Sequence, residues 1–207
     1  MLSRNFHSVL AGLVLQVTYS QAQETNWPQF RGENQGLAAN RELPKFWNKE
    51  KGIAWTNELS GFGQSSPIVW QDSVYVTSTG GKQKEHLYLE AFSLSSGKRN
   101  WIQRVAASKT VKEVSKMISQ GAPTPVAGPN GVYSFFESGD LIAFDHDGQK
   151  LWQRKLQEEF GDFEGGHGVG SSLVGSPGKI FLLIDHDGPS YLLCLDRRSG
   201  KTIWKTD

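Results

Sequence analysis

The tetrapeptide Asp-His-Asp-Gly occurs twice in this chain of 207 residues, at 145–148 and at 185–188. Two carboxylates that flank an imidazole can hold a divalent cation or transfer a proton. The same four residues also suit a tight turn, because Asp and Gly readily adopt turn conformations. The role of each copy therefore depends on its place in the larger pattern of the chain.

In a glycine-rich stretch, 160–172, His167 has four glycines close to it, at 165, 166, 168 and 170. Glycine lets the backbone approach a ligand closely, so His167 is a candidate ligand-binding residue. A tight passage of the chain, with His167 in a turn, is the alternative. A Ser-His-Asp triad built from Ser171 or Ser172, with His167 and Asp185, would lack the strained turn that presents a nucleophilic serine, so hydrolase chemistry is not expected.

The bulk composition excludes several classes of protein. The 22 basic and 21 acidic residues give no basic field that would attract nucleic acid. The single cysteine, Cys194, excludes an intrachain disulfide and a cysteine-based zinc site. Frequent glycines and aromatic residues favour short strands and many turns.

The N-terminus has the pattern of a targeting segment. Arg4 precedes an apolar run at 9–17, and the small residues Ser20 and Ala22 follow it at the spacing of a cleavage site. The pattern predicts a signal peptide at 1–22 and an exported protein, periplasmic or extracellular. A retained membrane anchor is the alternative, and otherwise we expect any membrane contact to be peripheral.

Three segments of the chain end in the same pattern, a turn with a glycine followed four residues later by a tryptophan. Their glycines, Gly97, Gly148 and Gly200, are 51 and 52 residues apart. Each unit contains four short strand candidates, and in the first unit these are 67–70, 73–78, 86–92 and 99–105. Four strands in each repeat of about 40–50 residues are typical of β-propeller blades. The predicted blades are 65–105, 122–156 and 171–207; a β-sandwich with accidental similarity is the alternative.

The remaining segments indicate an incomplete ring. Residues 52–59, with Trp55, match the outer strand of a blade alone, which predicts that they complete a closing blade. Three blades and one strand are fewer than the ~4–8 blades of a closed propeller. We therefore expect an all-β, incomplete propeller whose missing blades come from a longer chain or another subunit. Residues 23–51 would form an N-terminal strap, and 108–120 would form a short amphipathic helix.

The repeat separates the two Asp-His-Asp-Gly copies. They are 40 residues apart, so they occupy different positions in their units. The copy at 145–148 falls in the turn before the outer strand and is predicted to be structural. The copy at 185–188 falls between the second and third strands, on the face that carries His167. The candidate ligand-binding residues are His167, Asp185, His186 and Asp187; a metal site there is the weaker alternative.

The glycine–tryptophan turn, clearest at 194–204, resembles the tryptophan-docking repeat of the pyrroloquinoline-quinone (PQQ) type β-propellers. The opening at 26–36 (NWPQFRGENQG) is similar to the N-terminal signature of exported PQQ-like repeat proteins. The resemblance covers residues 26–207 and implies that each tryptophan stacks on a peptide plane of the neighbouring blade. The structural docking residues it implies are Trp55, Trp101, Trp152 and Trp204.

The resemblance implies two functional classes. Quinoprotein dehydrogenases bind PQQ and calcium at the propeller axis, whereas others carry the repeat without a cofactor, such as the propeller subunit of the outer-membrane barrel-assembly machinery. This chain has no vicinal cysteine pair and no recognisable Glu-Asn-Asp calcium set. We therefore expect a non-catalytic scaffold without a cofactor that binds a protein or a small molecule on the face near Gly61, Gly121 and His167. The alternative is a truncated part of a PQQ-dependent dehydrogenase.

Overall fold

The computed structural model describes residues 26–33, 36–37, 45–48, 50–110, 121–166 and 168–207. Runs rich in β-branched and aromatic residues form strands in it, and the turns between them contain Gly, Asp, Ser and Asn. The strands are β1 (Ile68–Trp70), β2 (Ser73–Gly80), β3 (His86–Ser93), β4 (Arg99–Ala106), β5 (Val126–Gly128), β6 (Gly131–Phe135), β7 (Asp140–Phe144), β8 (Lys150–Lys155), β9 (Val174–Ser176), β10 (Lys179–Ile184), β11 (Tyr191–Asp196) and β12 (Thr202–Thr206).

In the described residues these strands form three antiparallel sheets, each with its four strands in chain order. Each sheet is one blade: β1–β4 is blade 1, β5–β8 is blade 2 and β9–β12 is blade 3. The inner strands β1, β5 and β9 have three residues each and lie next to one another. The prediction of an all-β, incomplete propeller is confirmed, because the described residues form blades but no closed ring.

The blades pack face to face through two hydrophobic cores. One core joins blades 1 and 2 and contains Tyr75, Leu89 and Ile142. The other joins blades 2 and 3 and contains Tyr133 and Leu193. Every residue of β5, β6 and β7 is buried, because blade 2 has a neighbouring blade on each side.

One row of side chains recurs across the second, third and outer strands of each blade. An aromatic residue and the repeat tryptophan lie on either side of a small residue, which lets the two rings approach each other. The rows are Tyr75–Ala91–Trp101, Tyr133–Ala143–Trp152 and Phe181–Cys194–Trp204. The ring centroids are 5.8, 5.8 and 6.0 Å apart, within the range of favourable aromatic pairs.

Connections in an up-and-down sheet alternate between its two ends, so the blades have two different faces. We call the loop face the side that carries the connections before each inner strand and those between the second and third strands, such as 60–66 and 185–190. We call the strap face the opposite side, which carries the hairpins after the inner strands and the turns before the outer strands. The two Asp-His-Asp-Gly copies therefore lie on opposite faces.

The N-terminal strap crosses the inner strands of all three blades. Trp27 exchanges backbone hydrogen bonds with Val69 of β1. The next two residues reach the next two blades: the Pro28 carbonyl accepts from Ala127 N, and Gln29 Oε1 accepts from Gly175 N at 2.8 Å. Three consecutive residues thus tie the strap to three blades.

Several differences from the sequence expectations concern the segments between strands. Residues 52–59 are not in a strand, because no neighbouring strand is present among the described residues to pair with them. A short helix that was not predicted, α1 (Leu156–Phe160), follows β8 and is anchored by the buried Leu156. The predicted signal peptide (1–22), most of the predicted helix at 108–120, and His167 lie outside the described residues. Among the described helices, none has the length and apolar character needed to cross a membrane.

Candidate functional site

The repeat tryptophans contact the turn of the following blade. The indole Nε1 of Trp101 donates to the His146 carbonyl at 2.8 Å, and that of Trp152 donates to the Arg197 carbonyl at 3.3 Å. Each ring also lies against the turn glycine, since a Cβ on Gly148 or Gly200 would come within 2.9 or 2.7 Å of the indole. Both glycines have positive φ, which other residues adopt only with strain.

Trp55 makes the same contact with the first blade. Its Nε1 donates to the Leu94 carbonyl at 2.9 Å, and a Cβ on Gly97 would lie 2.5 Å from its ring. Two residues later, Asn57 donates to the Gly97 carbonyl, as Arg154 donates to that of Gly200. The segment 52–59 thus holds the position of an outer strand without its sheet. Trp204 is 40% exposed and has no such turn beside it among the described residues.

The first Asp-His-Asp-Gly copy is the turn between β7 and β8 and links two blades. Asp145 Oδ1 accepts from the backbone N of Asp147 and Gln149, which fixes the turn. His146 Nδ1 lies 2.8 Å from the Tyr75 hydroxyl of blade 1, and its Nε2 lies 2.9 Å from the Gly128 carbonyl of blade 2. With Nε2 protonated and Nδ1 accepting from Tyr75, both ring nitrogens are used.

The second copy forms part of the loop face and packs against 163–165. His186 Nδ1 accepts from Glu164 N at 2.9 Å and from Gly188 N at 3.1 Å, and its Nε2 donates to the Pro189 carbonyl at 3.1 Å. Asp187 N in turn donates to the Glu164 carbonyl at 3.1 Å. The imidazole is therefore engaged in fixing two loops to each other, which leaves neither nitrogen for a metal ion or a proton transfer.

The carboxylates of this copy lie around the fixed loops. Asp185 accepts from the Ser190 hydroxyl at 3.0 Å, while Asp187 lies beside Gly165. Asp185, Asp187 and Glu164 are exposed. Within the described ranges, no group of His, Cys, Asp and Glu is arranged to hold a metal ion. The structure thus brings Asp185, His186 and Asp187 to the predicted face, beside the stretch that leads to His167.

A further carboxylate, Glu137, lies beneath the loop face. It belongs to the connection between β6 and β7, and its carboxylate packs against Gly168. Burial away from water raises the pKa of Glu137 to about 7. No sequence pattern singles out this residue, because its pKa depends on how the connection that contains Gly168 covers it.

Arg197 lies on the strap face at the turn position that His146 occupies in blade 2. Only 8% of the residue is exposed, and its guanidinium is 5.3 Å from the centre of the Tyr133 ring. Burial lowers the pKa of Arg197, and the neighbouring Tyr133 and Glu33 oppose that shift. The guanidinium remains charged at neutral pH, because an arginine starts from a very high pKa.

A family model described as "Outer membrane protein assembly factor BamB" matches residues 38–207, which include all three blades and their docking turns. The chain belongs to this family. The resemblance to the PQQ-type propeller repeats is thereby confirmed. No curated protein sequence gives a significant match to the chain.

A solved structure of BamB shares the fold. The crystal structure of BamB from Moraxella catarrhalis aligns with a TM-score of 0.50 and 14% identity, over 74% of this chain and 42% of that chain. A europium-containing methanol dehydrogenase aligns with a TM-score of 0.49 and 15% identity, over 75% of this chain and 27% of that chain. The chain thus spans less than half the length of either relative, and at these identities the similarity to BamB concerns the fold.

Sequence reasoning missed the side chains that join the blades on the strap face. His146 and Arg197 follow the aspartate that begins each turn, and Leu94 follows the serine at the same place in blade 1. The backbone carbonyl is what the repeat requires there, so the side chain varies between units. That variation inside an otherwise regular repeat is the signal that could have drawn attention to both residues.

Proposed function

We propose that this chain is part of an exported, non-catalytic β-propeller scaffold that binds a protein partner through its loop face. The observation that carries the proposal is the hydrogen bonding of His186. Because Nδ1 of His186 holds Glu164 against 185–188 and Nε2 is bonded to Pro189 within its own loop, the loops form a fixed surface and the imidazole is not free for chemistry.

A fixed surface lowers the cost of binding. Loops that are already ordered lose less conformational freedom when a partner docks, so more of the contact energy appears as affinity. Asp185, Asp187 and Glu164 are exposed around the two loops. Their charge favours a partner with a basic surface and would steer its approach.

The family supports a protein partner over a small substrate. The description of the family model is that of an outer membrane protein assembly factor, and assembly is a protein-binding activity. Our proposal for this chain includes a protein partner and a periplasmic or extracellular location. It also includes further blades that come from a longer chain or another subunit.

Site-specific photocrosslinking tests the proposal. The two Asp-His-Asp-Gly copies provide a matched pair, because Asp187 is exposed on the loop face and Asp147 is exposed on the strap face. A photoreactive residue at 187 should yield a discrete protein adduct in the native cell envelope, and one at 147 should not.

The adduct formed from position 187 should also depend on the acidic surface. Charge reversal by Asp185→Lys or Glu164→Lys should remove most of it, whereas Asp147→Lys should leave it unchanged. Equal adducts from both positions, or an adduct that survives both charge reversals on the loop face, would contradict binding through these loops.

Cofactor loading tests the alternative, a part of a PQQ-dependent dehydrogenase. On the scaffold proposal, the protein incubated with PQQ and Ca²⁺ and then desalted should retain no quinone absorbance and should not oxidise alcohols with an added dye. Retained quinone would overturn the scaffold proposal in favour of the enzyme.

Export has its own test. If 1–22 is a signal peptide, mass spectrometry of the mature protein should find Gln23 at the N-terminus and the protein outside the cytoplasm. A cytoplasmic protein with residues 1–22 intact would contradict export without bearing on the binding surface.

A further inference from the structure

The strap face contains a cavity of about 500 Å³ between the N-terminal strap and the inner hairpins of blades 2 and 3. The strap contributes one wall, which includes Asn26, Gln29 and Glu33. The hairpins that follow β5 and β9 contribute the opposite wall, and Arg197 lies among the lining residues. The cavity lies on the face opposite to the predicted binding loops.

Two glycines leave space for the guanidinium of Arg197. The group lies between Gly128 of β5 and Gly175 of β9, and a Cβ at either position would collide with its nitrogens. Tyr133 supplies an aromatic face 5.3 Å away, which stabilises a cation. Glycine at these two positions thus leaves room for a charged group between neighbouring inner strands.

The donors of this guanidinium are poorly satisfied. Among the described residues, its one hydrogen bond is from Nη2 to the Ala127 carbonyl, at the long distance of 3.5 Å, and its buried Nε has no acceptor there. An arginine has five N–H donors, and burying a charge without partners is costly. No carboxylate of the described residues lies within ion-pairing distance of Arg197.

The rest of the cavity limits the charge of a ligand. Glu33 also lines the cavity and is near enough to act electrostatically on Arg197, so its negative charge partly offsets that of the guanidinium. Of the strap amides, Asn26 Oδ1 already accepts from Gln71 N, and Gln29 Oε1 accepts from Gly175 N. Asn26 retains its NH₂ group as a neutral donor. One cation, one neutral donor and a nearby anion suit a monoanion better than a dianion.

We propose that this cavity binds a small molecule that carries one carboxylate, held by Arg197. The planar fork of a guanidinium matches a carboxylate in shape and donates two parallel hydrogen bonds to it. Carboxylate binding would supply acceptors that the described residues do not give this guanidinium. This inference concerns the strap face and does not depend on the function proposed for the loop face.

The test is a titration followed by NMR on the full 207-residue chain labelled with ¹⁵N. Acetate is the probe, acetamide is its neutral isostere, and sulfate at equal ionic strength is a dianion. The Arg197 Nε–H signal, assigned with Arg197→Lys, should shift saturably with acetate. It should not shift with acetamide, and sulfate should bind at least ~10-fold more weakly, because it does not match one guanidinium beside Glu33.

Three variants locate the site. Arg197→Met should weaken acetate binding at least ~10-fold, because it removes the charged donors. Arg198→Met should leave it unchanged, since Arg198 is the exposed neighbour and contributes only surface charge. Glu33→Gln should tighten binding roughly threefold by removing the nearby negative charge.

Four outcomes would overturn the proposal: unchanged binding in Arg197→Met, equal weakening in Arg198→Met, no tightening in Glu33→Gln, or acetamide and acetate binding alike. If Arg197→Met does not fold, the Glu33→Gln and acetamide titrations still decide, because both use a protein with the cavity intact.

Discussion

The interface between blades 1 and 2 and the interface between blades 2 and 3 use the same repeat positions but contain different polar groups. At both, a tryptophan donates to the carbonyl of a turn residue and packs on the turn glycine. At the first interface that turn residue is His146, and both its ring nitrogens are hydrogen-bonded. At the second it is Arg197, whose Nε has no acceptor among the described residues. The docking contact therefore depends on the backbone carbonyl and the glycine of each turn. The side chain of the residue that supplies the carbonyl, His146 or Arg197, can differ and can make other contacts.

The tryptophans should give the largest effect, because their packing is the part that both interfaces share. Trp152→Ala should lower the free energy of unfolding by about 3 kcal/mol, the lower end for such substitutions, since the ring is only partly buried. Trp204→Ala should cost less than about 1 kcal/mol in the 207-residue chain, because no turn of the described residues lies beside that ring.

Urea denaturation of the two tryptophan variants measures both values under the same conditions. Similar losses for Trp152→Ala and Trp204→Ala would contradict the docking contact as the source of the stability.

The turn glycines should give the next effect. Gly200→Ala combines an unfavourable positive φ of 69° with a collision with Trp152. Gly178→Ala is its control, because Gly178 has a φ of 71° but no atom near its Cβ position. The control should lose about 1 kcal/mol of stability, and Gly200→Ala should lose at least ~1 kcal/mol more.

Thermal unfolding of the two glycine variants separates backbone strain from the docking contact. Equal melting temperatures for Gly178→Ala and Gly200→Ala would show that the contact between Gly200 and Trp152 contributes nothing.

The two tyrosine hydroxyls distinguish the interfaces directly. Tyr75→Phe removes the hydrogen bond to His146 and should cost about 1 kcal/mol. Tyr133→Phe removes a buried hydroxyl that has no hydrogen-bond partner in the described part of the chain. The stability of this variant should therefore stay within about 0.5 kcal/mol of the parent or rise slightly.

Chemical denaturation of the two tyrosine variants, with the parent chain as reference, gives this comparison. A larger loss for Tyr133→Phe than for Tyr75→Phe would reverse the difference between the interfaces.

Glu137, outside both interfaces, should give a small effect that depends on pH. Its pKa is about 7 in the folded protein and 4.5 as the ordinary value, so the folded state binds its proton more tightly. The stability from this proton is fully present below pH 4.5 and is lost as pH rises through 7. Glu137→Gln should therefore gain up to about 1 kcal/mol relative to the parent between pH 5 and pH 8, after allowance for partial exposure.

Stability curves for the parent and Glu137→Gln at several pH values provide the measurement, and Asp147→Asn, on an exposed turn, is the control. A difference from the parent that stays constant from pH 5 to pH 8 would contradict the raised pKa of Glu137.

Repetition made the blades predictable. The spacing of Gly97, Gly148 and Gly200 set the register, and the four strands predicted for blade 1 end within two residues of the observed ones. The short helix α1 was missed because Leu156 is buried by tertiary contacts, which no local pattern reveals.

The site was less predictable, because its chemistry comes from contacts between units. The repeat indicated that 185–188 differs from 145–148, and the structure places Asp185, His186 and Asp187 beside 163–165. The partners of the two His186 ring nitrogens, Glu164 and Pro189, lie at positions that the repeat does not specify. Arg197 was not predicted as a site residue, because it lies in a regular turn of the repeat.

The exchange of indole protons with solvent tests most directly whether docking onto the next turn holds the blades together. In ¹⁵N-labelled chain, the Nε1–H of Trp101 and Trp152 should exchange slowly, because each donates to a turn carbonyl of the next blade. The Nε1–H of Trp204 should exchange at the rate of an exposed indole. Equal exchange rates for all three indoles would contradict the account.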